Sequence, residues 1–273
     1  MTRVLTLLLL AIAVALPNVA SAQAYKEAYN AANEAAAAKD YMAAYEQYQV
    51  ALEGAVEAED EEVEGRSRYV LAQLDYALSV RKLKADENEE ALEGFETGIN
   101  HDPNFAMNYV GKAEALKAMD RDEDAIGAYG MAIEVAEAGD KARGTAIKNM
   151  LALIGSTGDL LGGANPSRTK AGAALEQLTG LAELLGDQPE YHLYVARAHN
   201  VLGDYSAARD AADAGLALNP NDRNDAAALH FVKGDSYRMQ ENYEAARTAY
   251  GSAAYGNYRD QANYYIETMG KEQ

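Results

Sequence analysis

QENYEAARTAYGSAA, residues 240–254, decides how this chain is read. A polar turn leads to Ala246, an aromatic follows four residues on at Tyr250, and a small residue three after that at Ala253. Four further stretches repeat the arrangement: AKDYMAAYEQYQVAL (38–52), DENEEALEGFETGI (86–99), DRDEDAIGAYGMAI (120–133) and LGDYSAARDAADAGLAL (202–218). Their alanines are Ala44, Ala91, Ala125 and Ala208; the residues four further on are Tyr48, Phe95, Tyr129 and Ala212; the small residues are Ala51, Gly98, Ala132 and Gly215. Offsets of four and three put all three on one helical face. The small residue lets a second helix approach closely, and the aromatic fills the space beside the contact.

Upstream of each turn the sequence predicts another helix of about a dozen residues, such as Tyr191 to Leu202 or Ala227 to Met239. Pro103 in HDPN and Pro220 in NPND follow the second helices of their units, where a proline stops further winding. An alanine-rich chain with only 5 prolines favours helix throughout.

In these features the chain resembles the tetratricopeptide repeat family. The best unit is 227–260, where Gly234, Tyr237, Ala246, Tyr250 and Ala253 fall on that family's small, aromatic and alanine positions. The unit at 189–222 follows, through Ala196, the LGDY turn at 202–205, Ala208 and Pro220. A degenerate unit precedes both, with helices expected from Lys141 to Gly155 and from Thr169 to Leu185, the glycine-rich GSTGDLLGGANPS between them and Ala174 as its marker. Spacings between successive marker alanines are 47, 34, 49, 34 and 38, and only two equal the family's 34, so some units carry longer helices or inserted loops.

The resemblance implies an all-α fold, a right-handed superhelix (α-solenoid) of antiparallel helix pairs. Tyr258, Ala262, Tyr265, Ile266 and Met269 form a final apolar stripe, read as a C-terminal helix that caps the exposed end. The expected organisation is a signal peptide at 1–22, repeats over 23–155, a glycine-rich insertion at 156–168, repeats over 169–256, and a capping helix and tail at 257–273. In such proteins the first helix of each unit lines a concave surface that binds peptides or proteins. Carried over unit by unit, the groove candidates are Tyr29, Asn33, Gln73, Tyr76, Met107, Lys148, Tyr194, Arg197, Asn200, Phe231 and Arg238. The family's lysine-and-asparagine clamp for C-terminal carboxylates is not reproduced at matching positions.

The N-terminus carries its own signal. Arg3 precedes an apolar stretch from Val4 to Leu16, Pro17 ends it, and Ala20-Ser21-Ala22 offers small residues for cleavage before Gln23. A helix over that stretch is roughly 20 Å long, too short for a ~30 Å hydrocarbon core. The reading is export across a bacterial inner membrane, to the periplasm or the cell exterior.

Composition narrows the function. The 273 residues hold 24 Lys+Arg against 43 Asp+Glu, a net charge of −19, which repels nucleic acid and anionic bilayers and steers basic partners. With no cysteine there is no disulfide framework, thiolate metal site or cysteine nucleophile. Asp120-Arg-Asp-Glu-Asp124 resembles the start of a calcium loop, but Ala125 and Met131 stand where glycine and a bidentate glutamate belong. His192 and His199 lie seven apart on one helix, about 10 Å along its axis, so they read as packing or groove-lining residues rather than as a metal pair. Neither they, His101 nor His230 belongs to a recognisable ligand motif. No GxSxG, HExxH or GxxxxGK[ST] occurs, so no catalytic residue, metal or cofactor is assigned. The acidic run Glu57 to Glu64 reads as a solvated helix end or loop. The sequence points to a non-enzymatic scaffold that holds a protein or peptide in its groove. The alternative is a carbohydrate- or peptidoglycan-binding surface protein that uses some of the 19 tyrosines for stacking on sugars.

Overall fold

The computed structural model describes residues 23–160 and 165–269. The expected signal peptide, residues 161–164 of the glycine-rich segment and the last four residues lie outside them. Every regular element among the described residues is helical, and the chain divides into two compact units at Gly144–Thr145.

Unit 1 contains α1 (23–37), α2 (Tyr41–Glu57), α3 (Glu61–Lys84), α4 (Asn88–His101), α5 (Ala106–Ala118) and α6 (Asp122–Val135). The division falls in the first turn of α7 (Lys141–Thr157). Unit 2 continues with α8 (Arg168–Gly180), α9 (Ala182–Leu185), α10 (Pro189–Leu202), α11 (Tyr205–Ala217), α12 (Arg223–Met239) and α13 (Tyr243–Ala253). A 3-10 turn (Gly256–Tyr258) then leads into α14 (Arg259–Thr268). In unit 1 each helix from α2 to α5 packs on the next. In unit 2 α8 packs on α10, and each helix from α10 to α13 packs on the next. First helices also meet across neighbouring hairpins, α3 with α5 and α10 with α12.

The marker residues explain this packing. Ala44, Ala91, Ala125, Ala174, Ala208 and Ala246, all on second helices, are at most 2% exposed. Tyr48, Phe95, Tyr129 and Tyr250 are buried beside them. The small positions are places of close approach: a Cβ on Gly98 would lie 2.3 Å from the Asn108 side chain, and one on Gly215 would lie 2.9 Å from His192 and Leu229.

Sharp turns between helices come from single residues in the left-handed region. Lys39, Glu59, Asp86, Asp120, Asp159, Asn219 and Glu241 all have φ between 51° and 63°, a conformation that costs a side chain about 1 kcal/mol; Gly203, at φ 87°, adopts it freely. Side chains close several helix starts. Asp40 accepts from the Ala43 amide (3.2 Å), Asp60 from Val63 (3.2 Å) and Asn242 from Ala245 (3.3 Å).

Several boundaries differ from those read in the sequence: α7 runs two residues further, to Thr157, α8 starts at Arg168, and three other differences have a clear local cause. The helix α10 starts two residues early because Pro189, with its φ preset, occupies the first helical position. Likewise α12 starts at Arg223, since Asp222 caps it through the Asn224 amide at 2.8 Å. The helix expected over Thr169 to Leu185 breaks at Leu181, just after Gly180, whose helix propensity is about 1 kcal/mol below that of alanine. The acidic run Glu57 to Glu64 forms the α2–α3 corner, where Asp60 caps α3 and also accepts from the Tyr25 hydroxyl at 2.7 Å. Glu61, Glu62 and Glu64 occupy the first turn of α3, where the helix dipole favours them.

Candidate functional site

The largest cleft described lies in unit 2 and encloses about 770 Å³. Its floor is built by α10 and α12, one wall by the segment after α7 (Asp159, Leu160, Pro166) and the other by Tyr258, Gln261 and Tyr265 near the C-terminus. Four sequence-assigned groove residues meet there: Arg197, Asn200, Phe231 and Arg238.

Their partners separate structural from available groups. Asn200 spends both ends on α12, donating from Nδ2 to the Val232 carbonyl (3.0 Å) and accepting at Oδ1 from the Ser236 hydroxyl (2.7 Å). Phe231 is buried among Tyr250, Tyr258 and Tyr265, with centroids 5.2, 5.1 and 6.1 Å away. Arg238 stacks over the Tyr265 ring at 4.6 Å, donates from Nε to the Tyr250 hydroxyl (3.1 Å) and pairs with Asp235 Oδ1 (3.2 Å). The same Asp235 oxygen accepts from the Tyr250 hydroxyl at 2.7 Å. Burial raises the Asp235 carboxyl above the usual range, against the opposing pull of Tyr250, Arg238 and Arg197. Arg197 donates from Nη1 to the Leu160 carbonyl (2.9 Å) and from Nη2 to the Tyr258 hydroxyl (2.8 Å).

The other candidates lie elsewhere. Tyr194 is buried against α7, where a Cβ on Gly155 would come 2.5 Å from its ring; burial, then nearby Glu190, pushes its hydroxyl up to about 12. Lys148 is exposed on α7. In unit 1, Tyr29 meets Tyr48 edge-on at 5.9 Å, Asn33 accepts from the Tyr48 hydroxyl at 2.7 Å, and Tyr76 packs on Phe95 and Phe105. Gln73 and Met107 are half-buried on α3 and α5. A smaller unit 1 cleft of about 290 Å³, between α4, α5 and α6, contains none of these residues.

Two of the four histidines have hydrogen-bond partners, and the buried Nδ1 of His199 has none. His101 Nδ1 meets the buried Asp75 carboxylate at 2.6 Å, and His192 Nε2 lies 2.9 Å from the Gly186 carbonyl. His199 lies 3.8 Å from Asp204, and His230, its pKa lowered by burial, lines a separate cleft with Lys233 and Tyr237. No group of three His, Asp or Glu residues placed to hold a metal occurs among the described residues.

In the sequence Tyr258 and Tyr265 read as part of a capping helix, with docking of a partner as the alternative, and Asp235 was passed over. The two tyrosines do both jobs: they pack on the last hairpin and also form a cleft wall. Their signal was the terminal aromatic stripe. Asp235 carried little signal in a chain with 43 acidic residues.

A regularity joins the site to the repeats. In three hairpins the tyrosine four residues after the marker alanine donates to the residue fifteen positions before it: Tyr48 to Asn33, Tyr129 to Glu114 and Tyr250 to Asp235. Where that aromatic is Phe95, the corresponding residue is Val80, packed in the same apolar cluster. Where it is Ala212, the corresponding residue is Arg197.

No protein-family model matches the chain, and no curated protein matches it. Similar solved structures include a MamA double mutant, 14% identical over 67% of this chain and 92% of that one, with TM-score 0.44. A thermophilic tetratricopeptide repeat protein of Thermus thermophilus is 18% identical over 89% and 100%, with TM-score 0.31. The TPR2AB domain of yeast Sti1, solved as a complex with pHSP90, is 12% identical over 89% and 98%, with TM-score 0.33. Similarity at this level assigns no residue and no partner. The fold rests on the chain's own packing: marker alanines buried in every hairpin, and first helix meeting first helix. It is a tetratricopeptide-like fold. Within it, the unit 2 cleft lies along the first helices of the last two tetratricopeptide-like hairpins, α10 and α12.

Proposed function

We propose that this chain is a non-enzymatic scaffold of the bacterial envelope that holds a protein or peptide partner in the unit 2 cleft. The observation that carries the reading is the convergence of Arg197, Phe231 and Arg238 with Tyr258 and Tyr265 on one open cleft. Arginine and aromatic residues are the types that dominate binding energy at protein interfaces. Helix-to-helix hydrogen bonds and stacking hold them in place before a partner arrives, which lowers the ordering cost of binding. The net charge of −19 favours a partner that is basic overall and makes encounter salt-dependent. Export is inferred from Arg3, the apolar run and Ala20-Ser21-Ala22.

The test is crosslinking capture by the secreted protein from an envelope extract of its source cell, compared with Arg197→Glu and Phe231→Ala variants. The expected result is one protein retained by the parent and lost by both variants. Capture indifferent to both removes the cleft from the reading. Cell fractionation with N-terminal sequencing checks the compartment: a mature chain beginning at Gln23 is expected, and an uncleaved cytoplasmic chain refutes export. A second reading, sugar binding, draws on the Tyr258 and Tyr265 rings in the cleft wall. Retention on a peptidoglycan column, undiminished by high salt, would favour it.

A further inference from the structure

Arg197 stands at a repeat position where its own hairpin offers it no hydrogen-bond partner, only the Tyr194 ring 5.8 Å from the guanidinium. The equivalent residues Asn33, Glu114 and Asp235 each accept a hydrogen bond from a tyrosine hydroxyl of the same hairpin, and Val80 packs with Phe95. Opposite Arg197 the second helix offers only Ala212, and a guanidinium has no acceptor capacity in any case. The side chain turns into the cleft instead, where a backbone carbonyl and a tyrosine hydroxyl, both neutral, occupy two of its five N–H groups.

The cleft's charges are unevenly matched. Asp235 is shared by Arg238 and Tyr250, and Asp159 at the rim faces Lys170 at 3.5 Å. No carboxylate among the described residues lies at ion-pair distance from Arg197, although Asp235 and Glu190 both feel its charge. A guanidinium so placed keeps three donors in a rigid plane, suited to the two oxygens of a carboxylate. Arg197 also bridges the two sides of the cleft, Leu160 on one and Tyr258 on the other, with the Phe231–Tyr265 wall beyond.

We infer that the unit 2 cleft selects an extended peptide segment by one internal acidic side chain, paired with Arg197 and flanked by an apolar or aromatic residue lying on the Phe231–Tyr265 wall. This rests on the peptide-binding reading above and specifies its ligand. It is compatible with a partner that is basic overall: the field of the whole protein governs encounter, whereas Arg197 reads a single side chain at contact. The occupant is taken as a passing chain rather than a chain end, because Arg197 sits between lining residues on two walls, Leu160 and Tyr258.

The experiment uses the secreted full chain and degenerate octapeptide libraries, N-acetylated and C-amidated to remove terminal charges. A central residue is fixed as Glu, Gln or Lys. Retention of each library on immobilised protein is measured at low and moderate salt. The parent is expected to retain the Glu library at least fivefold over Gln and Lys, with the preference shrinking as salt rises. Arg197→Gln should abolish the preference for Glu over Gln, and Arg197→Lys should keep a reduced preference. Phe231→Ala should lower all three libraries together. Thermal melts of each variant separate a lost contact from a lost fold: an Arg197→Lys chain that melts like the parent and shows no Glu preference overturns the inference.

Equal retention of Glu and Gln by the parent, still lost in Phe231→Ala, also overturns the inference but leaves the peptide-binding reading standing. No retention of any library overturns both. A Glu preference that survives Arg197→Gln assigns the acid to another cation and overturns the role given to Arg197.

Discussion

A methyl group on Gly234 tests the logic that closes the last hairpin. Gly234 lies inside α12, where alanine is ordinarily worth about 1 kcal/mol more than glycine. Here the new Cβ would lie 2.6 Å from both Cδ1 and Cε1 of Tyr250 and 2.9 Å from Cγ. Relief needs the ring to move by roughly the ångström that separates this from an ordinary carbon contact. Tyr250 is not free to move. Its hydroxyl bonds Asp235 at 2.7 Å and accepts from Arg238 at 3.1 Å, and its ring stacks on Tyr265 at 5.2 Å. Overpacking of this kind costs about 1–3 kcal/mol, so the net loss after the propensity gain is about 0–2 kcal/mol, against a gain where the methyl is free. For a unit of this size each kcal/mol lost lowers Tm by roughly 3–5 °C.

Gly251 on α13 supplies the control, since a Cβ there meets nothing within 4 Å. Gly251→Ala is expected to stabilise by up to about 1 kcal/mol. Urea and thermal unfolding of the two variants, side by side, check both signs. If Gly234→Ala proves as stable as Gly251→Ala, the aromatic does not lock the hairpin and the account of the repeat is wrong.

Four further outcomes are expected. Tyr250→Phe removes a hydroxyl bound to two charged groups and should cost about 1–3 kcal/mol; adding Asp235→Val, to copy the Val80–Phe95 pairing, should recover part of it, and a strictly additive double mutant would refute the pairing. Asp75→Ala strands His101 and should cost about 1–3 kcal/mol in unit 1, read by chemical denaturation, whereas an unchanged midpoint would show that the 2.6 Å contact contributes nothing. Glu241→Gly relieves a left-handed side chain at φ 60° and should gain about 1 kcal/mol, a gain that strain-free turns would not give.

The fourth outcome concerns pH. Burial, then Asp225, raises the Glu190 pKa above 4.5, so the folded state holds this proton to higher pH than the unfolded chain. Stability from this group is therefore greatest below the unfolded value and falls as pH rises through the raised one. Glu190→Gln should stabilise unit 2 at neutral pH, and the gain should shrink on acidification through the carboxylate range. Melts in a pH series would refute this if the gain grew instead.

The fold was legible because its signal is local and repeated. Ala44, Ala91, Ala125, Ala208 and Ala246 recur with small residues seven positions on, and burying a helix face against a neighbour requires that spacing wherever the hairpin occurs. Boundaries were less legible because single residues set them. Pro189 and Asp222 moved two helix starts, and the break at Leu181 followed one glycine inside a pattern that otherwise continued. The turns were hidden for the same reason: seven non-glycine residues take a conformation usually announced by glycine, and nothing in Lys39 or Glu241 themselves marks it.

The site was half legible, and the missing half shows where its signal lay. Helical position alone brought Arg197, Asn200, Phe231 and Arg238 together, but position could not show that Asn200 is consumed by Val232 and Ser236 or that Tyr194 packs beneath Gly155. Those facts depend on distances between helices, which the register of one helix does not fix. The Arg197 anomaly is different, because both of its halves are written in the sequence. Arginine stands fifteen residues before an alanine where other hairpins have an acceptor before tyrosine, or valine before phenylalanine. Among the five hairpins where both positions are described, the pairing holds in four, and the exception gives up an aromatic contact and places a charge in the gap. That charge holds Leu160 and Tyr258 together across the cleft, and the proposed recognition of an acidic side chain gives the remaining donors a second use.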